Sequence, residues 1–188
     1  MLFTWKAVIG FDNLCFTSIG DSTISLYKDG SARATLYISK DEQDWQLWNF
    51  SAVSLKDGEK LYMYGTEFAN RMNGYASYYN KFVINGQMKV SGDLVALNNG
   101  SASMNEYYYM NLFYKCTGLI DASELKFPNK VVRDCYYSMF RECTSLTEAP
   151  VLPALKLEIN CYESMFYGCT ALTTAPELPS TILASGCY

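Results

Sequence analysis

The stretch CYYSMFRECTSLTEAPVLPALKLEIN, residues 135–160, is followed at once by CYESMFYGCTALTTAPELPSTILASG, residues 161–186, and Cys187-Tyr188 starts the pattern again. The period is 26 residues. A degenerate copy precedes them at residues 108–134, where Phe113, Cys116, Thr117, Leu119 and Ala122 match Phe140, Cys143, Thr144, Leu146 and Ala149. A period of this size predicts a solenoid, whose units cannot bury their apolar side alone and must stack. Within one unit, Cys135, Met139 and Cys143 fall at i, i+4 and i+8, with Tyr136 and Phe140 beside them. Read at helical spacing this is an apolar stripe on a helix of about two turns. Asp134 and Asn160 stand where an N-cap would. Thr144–Thr147 reads as a short extended segment, and Pro150, Pro153, Pro176 and Pro179 exclude helix from the return. The expected core of the repeats is therefore Cys135, Tyr136, Met139, Phe140, Cys143 and Leu146, with Cys161, Tyr162, Met165, Phe166, Cys169 and Leu172 in the next copy.

Working outward, residues 1–98 read as strands and turns, with alternation in Thr23–Tyr27, Ala34–Ile38 and Lys60–Tyr64. Turn signals stand at Lys28-Asp29-Gly30, Lys56-Asp57-Gly58 and Asn85-Gly86, the last being the strongest hairpin signal in the chain. Met1 to Phe16 carries Lys6 and Asp12, lacks a basic start and reads as a first strand, not a leader. Such a pattern suggests an antiparallel sandwich or barrel. The small polar run Asn98–Ser103 marks a linker, so the organisation expected is a β domain at 1–98, a linker at 99–107 and repeats at 108–188, divided as 108–134, 135–160, 161–186 and a partial copy at 187–188. The fold class expected is α+β: an antiparallel sandwich or barrel-like domain followed by a short leucine-rich-repeat solenoid with one helix and one strand per unit.

Composition excludes several activities. The chain has no His, so neither a Ser-His-Asp nor a Cys-His nucleophile can be assembled, and zinc loses its commonest nitrogen ligand. A net charge of -4 without a Lys/Arg cluster argues against nucleic-acid binding. No apolar run approaches the roughly 18 residues of a membrane span. The seven cysteines contain no CxxC pair. Eight residues apart on a helix, Cys135 and Cys143 would be about 12 Å apart along the axis, too far for a disulfide, so the thiols read as small buried hydrophobes.

The repeat resembles the BspA-like leucine-rich repeats, C-Y-x-x-M-F-x-G-C-T-x-L-T-x-A-P-x-L-P, which Cys161 to Pro179 match throughout. The preceding copy departs from that pattern at Arg141-Glu142. The segment Leu36 to Trp45 is similar, more loosely, to a turn in the β-rich domain that precedes such repeats in surface proteins of gut and oral anaerobes and of their phages. The resemblance implies recognition or adhesion, with a protein or glycan partner on a cell surface and an extracellular or cell-surface location. It implies no catalytic residue and no cofactor. A virion component of tail or fibre type is the alternative, and a carbohydrate-active enzyme using paired carboxylates is the third reading. Asp41, Glu42 and Asp44 are the carboxylates considered for that enzyme, and a solvated turn is the favoured explanation of them. Candidate contact residues are Tyr75, Tyr78, Tyr79, Trp45, Trp48 and Tyr137, flat amphipathic side chains that suit sugar rings or a protein surface.

Overall fold

The computed structural model describes residues 12–30, 32–69, 71–73 and 76–188. Alternation in the first half produces strands with one inward face. Leu14, Phe16, Ile24 and Leu26 of β1 (Leu14–Lys28), Leu36 and Ile38 of β2 (Arg33–Ser39), and Leu61 and Met63 of β5 (Lys60–Ala69) are all buried. So are Phe82, Ile84, Met88 and Val90 of β8 (Asn80–Asp93). With β3 (Gln46–Leu47), β4 (Val53–Leu55) and β9 (Leu119–Lys126) they form one seven-stranded sheet, ordered β3-β2-β5-β1-β8-β9, with β4 also paired to β1. A small hairpin, β6 (Arg71–Asn73) with β7 (Ala76–Tyr78), stands apart. The expected sandwich or barrel is therefore corrected to a single mixed sheet, parallel only where β9 joins β8. A 3-10 turn at Leu94–Asn98 buries Leu94, Ala96 and Leu97.

Asn85-Gly86 is not a hairpin turn. β8 runs straight through it, and Gly86 adopts φ +88° opposite an excursion of β1 between Ile19 and Thr23. The positive φ that signals a turn is spent on a bulge instead, because β1 supplies extra residues opposite it and both strands bend together. A Cβ at Gly86 would stand 2.7 Å from Asp21 O and the same distance from Ser22 Oγ. The amide of Met88 then donates to Gly118 O at 2.9 Å, which docks the first repeat onto this bend.

The repeats contain no α-helix, and the expectation of a leucine-rich-repeat solenoid with a helix in every unit is overturned. Left-handed residues recur every fourth position: Tyr107, Asn111 and Lys115; Asp134, Ser138 and Glu142; Asn160, Ser164 and Gly168. Each interrupts right-handed helix, since the left-handed region does not propagate in L-residues. Between them the amides alternate. Tyr137 donates to Asp134 O at 3.2 Å and Met139 to Tyr136 O at 3.1 Å, closing four-residue turns. Tyr136 donates to Cys161 O and Phe140 to Met165 O, both at 3.0 Å, joining one coil to the next. A four-residue turn ribbon gives the same i, i+4, i+8 stripe as a helix, which is why spacing alone misassigned it. Asp134 and Asn160 are correspondingly left-handed turn residues rather than helix caps, a conformation their short polar side chains tolerate. Only the first coil extends into a true strand, β9, and the second makes isolated bridges, Glu148 to Asp121 and Lys156 to Ile182.

The same period that fails as helix succeeds as packing. Phe113, Phe140 and Phe166 stack at 5.1 and 5.5 Å with planes within 3° of parallel, and Tyr109, Tyr136 and Tyr162 at 5.7 and 5.5 Å. Phe16 and Phe82 of the sheet continue the phenylalanine row, Phe82 meeting Phe113 at 5.4 Å. One hydrophobic core thus runs from the sheet into the coils. Cys135, Tyr136, Met139, Phe140, Cys143, Leu146, Cys161, Tyr162, Met165 and Cys169 are buried in it, while Phe166 and Leu172 are half-buried.

All seven cysteines are free and buried. Three thiols tie coils together, Cys143 donating to Phe113 O at 2.9 Å, Cys169 to Phe140 O at 3.0 Å and, at the longer distance of 3.9 Å, Cys161 to Cys187 O. Burial pushes the Cys116 thiol up to about 12 and those of Cys161 and Cys169 to about 11, so these three are not reactive thiolates near neutral pH.

Candidate functional site

On the outward face of the β2–β5 pair, where Leu36 and Met63 point inward, the intervening Tyr37 and Tyr64 are paired in register. Their rings stack at 5.0 Å, only 10° from parallel. Trp45, from the loop that follows β2, sets its ring edge against Tyr64 at 4.8 Å. The three rings, all half-buried, form a platform beside Leu47, which is 64% exposed. Burial raises the Tyr64 hydroxyl above its ordinary pKa, with Tyr37 a smaller contributor, so this phenol stays protonated as donor and acceptor.

The loop that carries Trp45 is rigid for identifiable reasons. The Asp41 carboxylate accepts the amides of Gln43 at 2.8 Å and Asp44 at 3.0 Å and the Ser39 hydroxyl at 2.8 Å. These donors, the Asp44 amide foremost, hold the Asp41 carboxyl below the usual range. Glu42 takes φ +60° and accepts from Asn13 Nδ2 at 2.9 Å, while its backbone oxygen receives the Trp45 indole N–H at 3.2 Å.

Two shallow depressions border this loop. One, about 380 Å³, is lined by Trp45, Asp41, Asp44, Gln46, Lys40 and Val53. The other, about 530 Å³, shares Lys40 and adds Asp21, Lys56, Glu59 and Asn85. Its charges are paired, Lys40 with Glu59 at 2.9 Å and Lys56 with Asp21 at 2.7 Å. Glu59 is held low, first by the Lys56 amide and then by Lys40. Asp41, Glu42 and Asp44 lie on one turn, and among the described residues no cluster of His, Cys, Asp or Glu is arranged to hold a metal ion.

The remaining candidates are scattered. Trp48 is buried, its indole donating to Ser51 O at 2.9 Å and its ring set against Phe50, so it is core rather than contact surface. Tyr79 packs on Tyr27 at 6.1 Å, on the β1/β8 side of the sheet, away from Trp45. Tyr137 is half-buried on the second coil. Tyr75 and the side chain of Tyr78 lie outside the described residues. Sequence reasoning missed Tyr37 and Tyr64, whose signal was their outward place in two alternating strands. No known protein family, characterised protein or solved structure matches this chain. Among the described residues no helix is long and apolar enough to cross a membrane.

Proposed function

We propose that this chain is a non-enzymatic recognition protein that binds a glycan or a protein partner, with the Trp45–Tyr64–Tyr37 platform as a contact for a sugar ring. The carrying observation is the juxtaposition of a fixed, half-exposed aromatic cluster with a turn whose polar groups are already held by internal hydrogen bonds. A pyranose presents C–H bonds to an aromatic face and hydroxyls at its edge, and rings held in place lose little side-chain entropy on binding. Against catalysis stands the state of Asp41 and Glu59, both held low, the wrong direction for a general acid of the glycosidase type. A neutral-glycan array with intact protein and with Trp45→Ala tests the proposal. Binding that falls at least about tenfold in the variant, a loss of roughly 1.4 kcal/mol, is expected with the melting temperature unchanged. Hydrolysis of a glycan by the intact chain, or binding indifferent to Trp45, would overturn it.

A further inference from the structure

A second surface, at the β1/β8 end of the sheet's outward face, continues onto the edge of the coils. Lys81 Nζ lies 5.7 Å from the centroid of Tyr27 and 5.5 Å from that of Tyr114, and Lys115 Nζ lies 5.2 Å from Tyr114. One coil on, the Arg141 guanidinium covers Tyr167 at 4.7 Å. Glu142 joins the two halves, 3.6 Å from Lys115 Nζ and the same distance from Arg141 Nε. The result is an unbroken stripe of alternating cations and tyrosines from β1 across three coils. It is accessible: Tyr27 is 47% and Tyr167 63% exposed.

Its cations are under-neutralised. Among the described residues Lys81 has no ion pair, and both contacts of Glu142 are longer than a hydrogen bond. The buried Arg141 Nε has no hydrogen-bond acceptor at all. In a chain of net charge -4, three cations on aromatic faces are a local feature that the background charge does not explain. Cation–π contact orients each head without neutralising it, leaving its charge for a ligand.

We infer that this stripe is a binding site for an acidic polysaccharide, one bearing carboxylate or sulfate groups. Rings on adjacent coils stack 5.1 to 5.7 Å apart, close to the advance of one pyranose along an extended polysaccharide, so Tyr114 and Tyr167, two coils apart, offer rings to every second sugar while Lys115 and Arg141 meet the acidic groups. An extended peptide would instead need a free strand edge. Between the coils that carry Lys115, Arg141 and Tyr167 that edge is already used, since Lys115 donates its amide to Arg141 O at 2.9 Å and Glu142 donates its amide to Tyr167 O at 2.8 Å. A nucleic acid, with a phosphate at every residue, would need a stronger field than three cations and Glu142 supply.

The site is independent of the Trp45 platform, and the experiment separates them. Affinity electrophoresis in gels containing polygalacturonate, its methyl ester, dextran sulfate or dextran compares the intact chain with Lys115→Gln/Arg141→Gln, Tyr167→Ala and Trp45→Ala, folding being checked by circular dichroism. Expected are retardation by one or both acidic polymers, weakened by salt, and at least about tenfold weaker binding in the double variant. Trp45→Ala should bind the acidic polymer normally. If the double variant fails to fold, exposed Tyr167 carries the test, with at least about threefold weaker binding expected from the loss of one stacked ring. Equal binding of the neutral and acidic polymers, no binding to either acidic polymer, tighter binding of polyglutamate or oligo-dT in matched gels, or retention of full affinity by the folded stripe variants would overturn the inference.

Discussion

Position 142 offers a test of the backbone of the repeats that turns on a sign. Glu142 takes φ +60°, and its counterpart one coil on is Gly168, at φ +75°. Replacing Glu142 by Ala and, separately, by Gly removes the same long ion pairs, so the difference between the two variants isolates the backbone. A left-handed conformation costs an L-residue about 1–2 kcal/mol, whereas Gly costs about 0.4–1 kcal/mol relative to Ala through the larger entropy of its unfolded chain. The net expectation is that Glu142→Gly exceeds Glu142→Ala by about 0.5–1 kcal/mol. In a helix the order reverses, Ala exceeding Gly by about 1 kcal/mol. For a chain of this size the expected gap is a melting temperature about 1–4 °C higher for the Gly variant. Urea titrations followed by far-ultraviolet circular dichroism, with Ala and Gly at exposed Thr144 as the control for ordinary backbone, measure it. An Ala variant more stable than the Gly variant at position 142 would refute the turn-ribbon account.

Two further expectations follow from the core. Phe140, fully buried between Phe113 and Phe166, should lose about 3–5 kcal/mol on replacement by Ala, while exposed Tyr167→Ala should stay within about 0.5 kcal/mol by denaturant titration. In alkali, the folded thiols of Cys116, at about 12, and of Cys161 and Cys169, at about 11, lie above the ordinary value of 9.0. The unfolded chain releases those protons first, so stability is full below about pH 9 and falls as pH rises toward 11–12. Urea midpoints taken across that range, in reductant, should decline steadily, and a flat profile would contradict the burial of the thiols.

The residues that pack were legible where each local pattern has one reading. Alternation in Lys60–Tyr64 places Leu61 and Met63 inside and leaves Tyr62 and Tyr64 half-exposed, a consequence of side chains alternating across a strand. The stripe Cys135, Met139, Cys143 was legible as buried but not as helix, because a spacing of four serves a helix and a four-residue turn ribbon alike. Asn85-Gly86 shows the same degeneracy in another form. Gly there declares a positive φ, but whether that bends one strand back or lets two strands bend together depends on β1, more than sixty residues away in sequence. Trp45 and Trp48 looked equivalent at three residues apart, and the loop geometry sends one to Tyr64 and the other into the core.

By itself, then, the sequence determined the period, the identity of the stacking side chains and the absence of imidazole chemistry, since each is a property of residue order or composition. The tertiary structure decided whether a stripe is helix or turn, whether the β half closes into a sandwich, and which cations and rings from β1, β8 and three coils share one surface. Those outcomes depend on where alternate amides find their acceptors. In these repeats they find them one coil away, in residues about 26 positions along the chain, which no local pattern specifies.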